Sequence, residues 1–138
     1  MARRIELEVE GVVVTARLFD QEAPESAQRL WEALPIHETL RHVRWSGNAA
    51  YVLVSQLKDP SLPLENRVSF YYPATIALKP QHGELAFSYG QAQAREGTGI
   101  GWATQLAELV GDVPPFLNVL QRTQHEGAKR LNIRRKEP

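Results

Sequence analysis

Taken alone, the sequence predicts a mainly β fold: a closed antiparallel barrel of about eight short strands with two helices, in one domain over residues 1–138. Two observations lead to this prediction. Short runs that alternate apolar and polar residues recur along the chain, and glycine, proline, asparagine or aspartate bounds them. Only two stretches, one early and one late, show the i, i+3, i+4, i+7 spacing of a helix. Because few strand pairs enclose a helix, a doubly wound parallel sheet is not favoured.

The chain opens with a predicted β-hairpin. Apolar residues alternate with glutamates over residues 5–9, which is typical of a strand with one buried and one solvated face. Glu10-Gly11 allows a tight turn. A second strand follows over 12–18, where the even-numbered residues are Val, Val, Ala and Leu and therefore share one face.

A first helix is predicted over residues 24–34. Pro24 suits the first helical position, because its missing N–H would have no helical partner there. The apolar face of the helix consists of Ala27, Leu30, Trp31 and Leu34. Pro35 ends the helix, because the residue before a proline is pushed away from helical geometry.

The middle of the chain is predicted to form further strands joined by turns and loops. These strands cover residues 37–45, 49–57, 68–72, 85–89 and 102–110. The stretch 90–101 carries four glycines and few apolar residues, so we expect a long flexible loop at the rim of the barrel.

A second helix is predicted to begin near Asp112 and to end at Glu126-Gly127. Its apolar positions repeat the spacing of the first helix, and they are Val113, Phe116, Leu117 and Leu120. Prolines 114 and 115 cost little in its first turn, where N–H groups lack helical partners. A last strand covers residues 131–133.

Composition narrows the class of function. Sixteen basic and sixteen acidic side chains balance, whereas a nucleic-acid-binding domain usually has a basic excess. The absence of cysteine excludes disulfides, thiolate nucleophiles and cysteine-ligated metals. No apolar run approaches the roughly 20 residues that span a bilayer, and the charged start MARRIELEVE does not resemble a signal peptide. We therefore expect a cytoplasmic protein without nucleic-acid or membrane partners.

No motif in the sequence predicts a metal site or a cofactor. None of the four histidines has the i, i+4 spacing of a helical metal site, and His37 and His42 would point to opposite faces of a strand. The glycine run 97–101 lacks the lysine and the following helix of a phosphate loop. We therefore expect neither a metal nor a cofactor.

Five segments, taken in order, resemble known families. They are LFDQEAPESAQRLW at 18–31, WSG at 45–47, YYP at 71–73, GELAFSYG at 83–90 and LAELVGDVPPFLNVL at 106–120. The first and last resemble cyclophilins. The three middle segments resemble a bacterial and archaeal group of small cyclophilin-like proteins of unknown function (domain of unknown function 3830). The resemblance as a whole covers about residues 4–135 and implies a cyclophilin-like barrel with a groove on its side.

In cyclophilins, an arginine in such a groove contacts the prolyl peptide during rotation about X–Pro bonds. The resemblance implies Arg44, in His42-Val43-Arg44, as its counterpart and hence as the candidate catalytic residue. The other pocket positions depart from the cyclophilin pattern. Ala86 stands where the family has a pocket phenylalanine, and the pocket histidine aligns near Ala103. The resemblance therefore leaves enzymatic activity open.

Several residues are candidates for a ligand site in this groove. They are Trp45, Tyr71, Tyr72, Phe87, Tyr89 and Gln105. The aromatic members would either line the groove or belong to the barrel core. The tyrosines are the better candidates for the groove, because a buried hydroxyl needs a polar partner.

Three functions are compatible with this sequence. The favoured one is a binding domain that recognises a small molecule or a short peptide in the groove, with Arg44 anchoring a carboxylate or carbonyl. The others are a prolyl isomerase with a degenerate pocket and an accessory subunit of an amide-hydrolysing complex, the latter by analogy of fold alone. Self-association into a homodimer is left open.

Overall fold

The computed structural model describes residues 2–97 and 99–137, and within them the chain forms twelve strands and two α-helices. The strands are β1 (Arg4–Val9), β2 (Val12–Leu18), β3 (Ile36–His42), β4 (Gly47–Leu53), β5 (Arg67–Val68), β6 (Phe70–Tyr71), β7 (Thr75–Lys79), β8 (Glu84–Gln93), β9 (Arg95–Glu96), β10 (Gly99–Ile100), β11 (Ala103–Val110) and β12 (Lys129–Arg135). The helices are α1 (Pro24–Ala33) and α2 (Pro114–Glu126), and a 3-10 turn covers Ser55–Leu57.

Eight of these strands close into the predicted antiparallel barrel. The order around the barrel is β2-β1-β12-β3-β4-β8-β7-β11, and β11 pairs with β2 to complete the ring. Leu7 of β1 lies opposite Val14 on one side and Ile133 on the other, and Ala107 lies opposite Leu18 at the closure. The prediction of an eight-stranded barrel with two helices is confirmed.

The barrel interior is filled by the apolar faces that the alternation predicts. Ile5, Leu7 and Val9 are fully buried, as is Leu30 of α1. Phe116 of α2 joins the same core, so both helices pack their predicted apolar faces on the barrel. Within the described part of the chain, neither helix has the length and apolar character that crossing a membrane requires.

Helix α1 begins at Pro24 as predicted, but its first turn is completed by a distant residue. The N-cap position, Ala23, makes no side-chain hydrogen bond. Instead, the backbone N–H groups of Glu25 and Ser26 donate to the two carboxylate oxygens of Glu65, at 3.2 and 2.8 Å. A carboxylate at this end also interacts favourably with the helix dipole. Glu65 thereby fixes the loop before β5 to the start of α1.

Strand β7 is absent from the sequence prediction. All five of its residues are buried, because Ile76 and Leu78 face the interior while the alternate residues face a second packed layer. A strand that is buried on both faces loses the apolar–polar alternation by which half-buried strands are recognised.

The prediction of a long flexible loop over residues 90–101 is wrong. Strand β8 continues through Gln93, and β9 and β10 form a small hairpin in which Arg95 lies opposite Ile100. Glycine-rich composition indicates a loop locally, but pairing of Ala92 with Gly47 and with Tyr71 extends the strand. Two other strands also differ from their predicted bounds. The strand predicted over 49–57 ends at Leu53, and the one predicted over 68–72 divides into β5 and β6.

Candidate functional site

The wall formed by β4, β8, β7 and β11 carries a second apolar cluster, on the face opposite the barrel interior. We call this the outer face. Its cluster contains one large side chain, Tyr71 of β6, and six alanines: Ala49, Ala77, Ala86, Ala92, Ala94 and Ala103. Tyr71 is only 5% exposed. A single aromatic ring therefore covers a surface built from the smallest apolar side chains.

Two buried polar atoms on this face make no hydrogen bond to any described residue: the Tyr71 hydroxyl and Gln105 Oε1. Ser69 Oγ, between β5 and β6, makes none either. Gln105 lies opposite Ala77 of the alanine cluster. Burial raises the pKa of the Tyr71 hydroxyl, and the Glu84 and Glu96 carboxylates raise it further. An unsatisfied buried polar group costs about 1–3 kcal/mol, so the outer face holds hydrogen-bonding capacity that the fold does not use.

A buried lysine lies at the edge of this cluster. Lys79 is 4% exposed, and its Nζ donates to the carbonyl oxygen of Arg95 at 2.6 Å. The same Nζ lies 3.5 Å from Glu96 Oε1. Lysine is rarely buried unless it is paired, and here both contacts are to β9. Lys79 therefore holds the β9–β10 hairpin against the barrel wall.

Glu96 is held by further donors. Gln81 Nε2 donates to its Oε1 at 3.1 Å, and His82 Nε2 lies 3.2 Å from its Oε2. Burial acts to raise the pKa of the Glu96 carboxyl, but the hydrogen bond from His82 and the charge of Lys79 outweigh it, so the pKa is lowered. Glu96 is therefore an ionised and well-oriented carboxylate.

Glu84 has the opposite electrostatic character. It lies directly across from Lys79 in the β7–β8 pair. Burial raises its pKa, and this outweighs the favourable charges of Lys79 and His82. The outer face thus places a carboxyl that holds its proton more tightly beside one that loses it more easily. Such divergent pairs are typical of sites for acid–base chemistry or for binding charged groups.

An open cleft of about 290 Å³ adjoins these residues, and we call it the outer cleft. It is lined by Trp45, Arg95, Glu96, Gly97 and Gly99. Its two sides are joined by a hydrogen bond of 2.8 Å from the Gln93 N–H to the Ser46 carbonyl. The cleft therefore lies between the β3–β4 connection, which carries Trp45, and the β9–β10 hairpin.

Gly101 makes room for the Glu96 side chain. A Cβ atom at position 101 would lie 2.9 Å from Glu96 Cγ and 3.2 Å from its Oε1. Real Cβ atoms essentially never approach as closely as the first of these distances. The absence of a side chain at Gly101 is thus a requirement for the observed position of the Glu96 carboxylate.

The structure divides the predicted site residues between the two faces of the barrel wall. Phe87 is 1% exposed and lies in the interior core. Tyr89 also packs against that core, and its hydroxyl contacts His42 Nε2 at 2.8 Å. Because His42 Nδ1 lies 2.7 Å from the Val43 carbonyl, which can only accept, Nδ1 carries the proton and Nε2 accepts from Tyr89. Phe87 and Tyr89 therefore face away from the outer cleft.

The remaining predicted residues lie on the outer side. Trp45 lines the cleft, and Tyr71 and Gln105 belong to the buried layer beneath it. Tyr72 is 62% exposed. Arg44 is also exposed, in the connection that leads to Trp45.

Sequence reasoning missed Lys79, Glu84, Arg95 and Glu96. One signal for Lys79 exists in hindsight: it ends the run TIALK, in which a charged residue follows four residues without charge. The other three residues are ordinary charged residues in strands or turns, and only the barrel register brings them together. Among residues 2–97 and 99–137, no three His, Asp or Glu side chains are grouped so as to hold a metal ion.

Comparison with known proteins agrees with this fold. A model of the family described as "Protein of unknown function (DUF3830)" matches residues 5–133. The fold also resembles solved structures that are at most 24% identical, a level at which likeness shows the fold alone. No curated protein matches the chain.

Three of these structures illustrate the likeness. McbB in complex with tryptophan is 24% identical with a TM-score of 0.77, and the match covers 97% of this chain and 45% of McbB. The hypothetical protein AF2241 from Archaeoglobus fulgidus is 14% identical with a TM-score of 0.67, and the match covers 98% of this chain and 95% of AF2241. A cyclophilin-type peptidyl-prolyl cis-trans isomerase from Cryptosporidium parvum is 10% identical with a TM-score of 0.64, covering 100% and 99%. The predicted cyclophilin-like fold is confirmed, and the chain spans less than half the length of McbB.

Proposed function

This chain belongs to the DUF3830 family, proteins of unknown function, and we propose that it binds a small aromatic molecule in the outer cleft. The observation that carries the proposal is the cleft itself. Trp45 and the two charged residues of β9 line it, and its volume is about 290 Å³. Ligand pockets in proteins usually begin near 300 Å³, so this size suits a small molecule.

Trp45 is the part of the cleft that suits an aromatic ligand. Its side chain is 64% exposed. Aromatic rings gain from stacking on one another beyond the burial of their area. A flat ring entering the cleft would cover the Trp45 indole while leaving the barrel core unchanged.

The likeness to McbB is compatible with this proposal. That protein was solved in complex with tryptophan, which carries an aromatic ring of the size in question. The similarity of fold brings no ligand to this chain by itself, but it makes L-tryptophan a rational first probe.

Prolyl isomerase activity is not favoured by the same surface. Tyr71 packs in one cluster with Ala86 and Ala103, the two positions that the resemblance to cyclophilins assigns to the isomerase pocket. The ring of Tyr71 thus occupies the surface where a substrate proline would have to lie.

The proposal is tested by titrating L-tryptophan into the purified chain, with calorimetry for affinity and NMR shift mapping for the site. We expect binding whose shift changes centre on Trp45 and on residues 95–97. Trp45→Ala should weaken it about tenfold or more, since aromatic contacts and lost apolar burial both contribute. The matched control is Tyr72→Ala, which removes an aromatic of similar exposure, 62% against 64%, from outside the cleft.

Two results would contradict the proposal. One is the absence of binding by L-tryptophan, indole and 3-methylindole at millimolar concentration. The other is binding that maps to the second cleft of about 290 Å³, which is lined by Ala2, Arg17, Leu18, Asp20, Gln21 and Glu22. That cleft has charged groups but no aromatic wall, and it serves as an internal comparison.

A further inference from the structure

We infer that the ligand of the outer cleft is a zwitterion of the aromatic α-amino-acid class, whose carboxylate binds Arg95 and whose ammonium group binds Glu96. The inference rests on the proposed function and adds the charges of the ligand to it. It is carried by the presence of one cationic and one anionic residue, Arg95 and Glu96, in the cleft that Trp45 also lines.

Arg95 supplies the anion-binding side. Arg95 is exposed and is one of the residues that line the cleft. No carboxylate within residues 2–97 and 99–137 forms an ion pair with its guanidinium. Its backbone is fixed by the 2.6 Å hydrogen bond from Lys79 Nζ. A guanidinium presents a planar fork of N–H donors that matches a carboxylate, so Arg95 suits the acid group of an amino acid.

Glu96 supplies the cation-binding side. Gln81, His82 and Lys79 hold its carboxylate in place, yet its side chain remains 33% exposed. Gln81 and Lys79 both contact its Oε1, whereas Oε2 contacts only His82 among the described residues, so Oε2 can accept a hydrogen bond from a further donor. A carboxylate that is already oriented loses little entropy when an ammonium group binds.

The position of the two charges on one hairpin also favours a zwitterion over a singly charged ligand. Arg95 and Glu96 are adjacent in the chain, and both residues line this cleft. An α-amino acid carries its carboxylate and its ammonium group on one carbon atom. A single small ligand can therefore meet both residues while its ring stacks on Trp45.

Four probes separate the ring from the two charges: L-tryptophan, tryptamine without the carboxylate, indole-3-propionate without the ammonium group, and 3-methylindole with neither. Calorimetry at one ionic strength gives their affinities. We expect L-tryptophan to bind tightest and each singly charged probe to bind about tenfold more weakly, which is the scale of one charge-assisted hydrogen bond. 3-Methylindole should bind most weakly.

Two variants then assign each charge to a residue. Arg95→Gln should reduce the affinity for L-tryptophan to that for tryptamine and leave tryptamine unchanged. Glu96→Gln should reduce it to that for indole-3-propionate and leave indole-3-propionate unchanged. Arg17→Gln and Glu22→Gln, which alter the charges of the second cleft, are the matched controls and should change no affinity.

Gly101→Ala tests the position of Glu96 without removing a charge. The added methyl group forces the Glu96 side chain to move, because Cγ would lie only 2.9 Å from it. Binding of L-tryptophan and tryptamine should weaken, while binding of indole-3-propionate should not. Circular dichroism and the unfolding midpoint verify that the variant is folded.

The outcomes distinguish this inference from the proposed function. If none of the four probes binds, the proposed function itself fails. If 3-methylindole binds as tightly as L-tryptophan, or if Arg95→Gln and Glu96→Gln leave all four affinities unchanged, an aromatic site stands and the zwitterion is overturned. If only one of the two variants acts, the ligand class is a simple acid or a simple amine, and the inference is likewise overturned.

Discussion

The two faces of the β4–β8–β7–β11 wall are made by the same strands, yet they obey different physical rules. The interior face consists of large apolar side chains such as Ile76 and Phe87, both 1% exposed. The outer face alternates with them and carries alanines, the buried Lys79 and a Tyr71 hydroxyl without a partner among the described residues. Close packing of apolar groups explains the first face. The buried polar groups of the outer face cost stability, and we infer that they are kept because they contribute to binding.

The largest expected effect is on the interior face. Phe87→Ala should lower the free energy of unfolding by about 3–5 kcal/mol, because it removes a fully buried ring and leaves a cavity. Urea denaturation measures this effect. Tyr72→Ala, an exposed aromatic, should change it by about 0.5 kcal/mol or less. A small loss for Phe87→Ala would mean that Phe87 contributes little to the packing of the core. The contrast between the interior face and the outer face would then be wrong.

On the outer face, Lys79→Met should lower the free energy of unfolding by about 2 kcal/mol. This is less than the usual loss for a fully buried pair, because Glu96 is partly exposed and water screens it. The same variant should weaken L-tryptophan binding, since Lys79 holds the β9–β10 hairpin. Denaturation and calorimetry together measure both effects.

Lys129→Met is the matched control for this prediction. The Lys129 side chain is as little exposed as that of Lys79, at 5%, and it also contacts two carboxylates, those of Glu10 and Glu126. It lies on β12, which pairs with β1 and β3, and neither of its two carboxylate partners lines the outer cleft. We expect lost stability without any change in ligand affinity. Equal losses of affinity in both variants would show that Lys79 acts only through the overall stability of the barrel.

The same contrast explains what the sequence could and could not predict. The β1–β2 hairpin and helix α1 follow from local patterns, because alternation and proline placement need no distant partner. Strand β7 was missed, because its burial on both faces removes that alternation. The Lys79–Arg95 contact joins residues 16 positions apart, and the Glu65–Ser26 contact joins residues 39 apart. Such contacts depend on the register of the closed barrel, which no local pattern encodes.

Opposite pH effects are expected from the two outer-face carboxyls. Burial raises the pKa of the Glu84 carboxyl, so folding favours its protonated form. The stabilisation of the folded state by this proton is present at low pH and is lost as the pH rises through the pKa of Glu84 in the folded state. The pKa of Glu96 is lowered, so folding favours its ionised form. The stabilisation of the folded state by this carboxylate is present at neutral pH and is lost as the pH falls through the pKa of Glu96 in the folded state.

Comparison of unfolding free energies at pH 4 and pH 7 tests these signs. Relative to the unmodified chain, Glu84→Gln should gain stability between pH 4 and pH 7, because the cost of ionising a buried carboxyl disappears. Glu96→Gln should lose stability over the same interval, because favourable contacts to an ionised carboxylate are removed. The two variants are each other's control, and a shared sign would contradict the assigned environments.

The smallest expected effect compares two tyrosine hydroxyls, one on each face. Tyr71→Phe should raise the free energy of unfolding by about 1 kcal/mol, because it removes a buried hydroxyl that has no partner among the described residues. Tyr89→Phe should lower it by about 1 kcal/mol, because that hydroxyl donates to His42 at 2.8 Å. Thermal and urea unfolding measure both. If both variants lose stability equally, the Tyr71 hydroxyl has a hydrogen-bond partner within the folded chain. The polar groups of the outer face would then stabilise the fold, as that of Tyr89 does on the interior face.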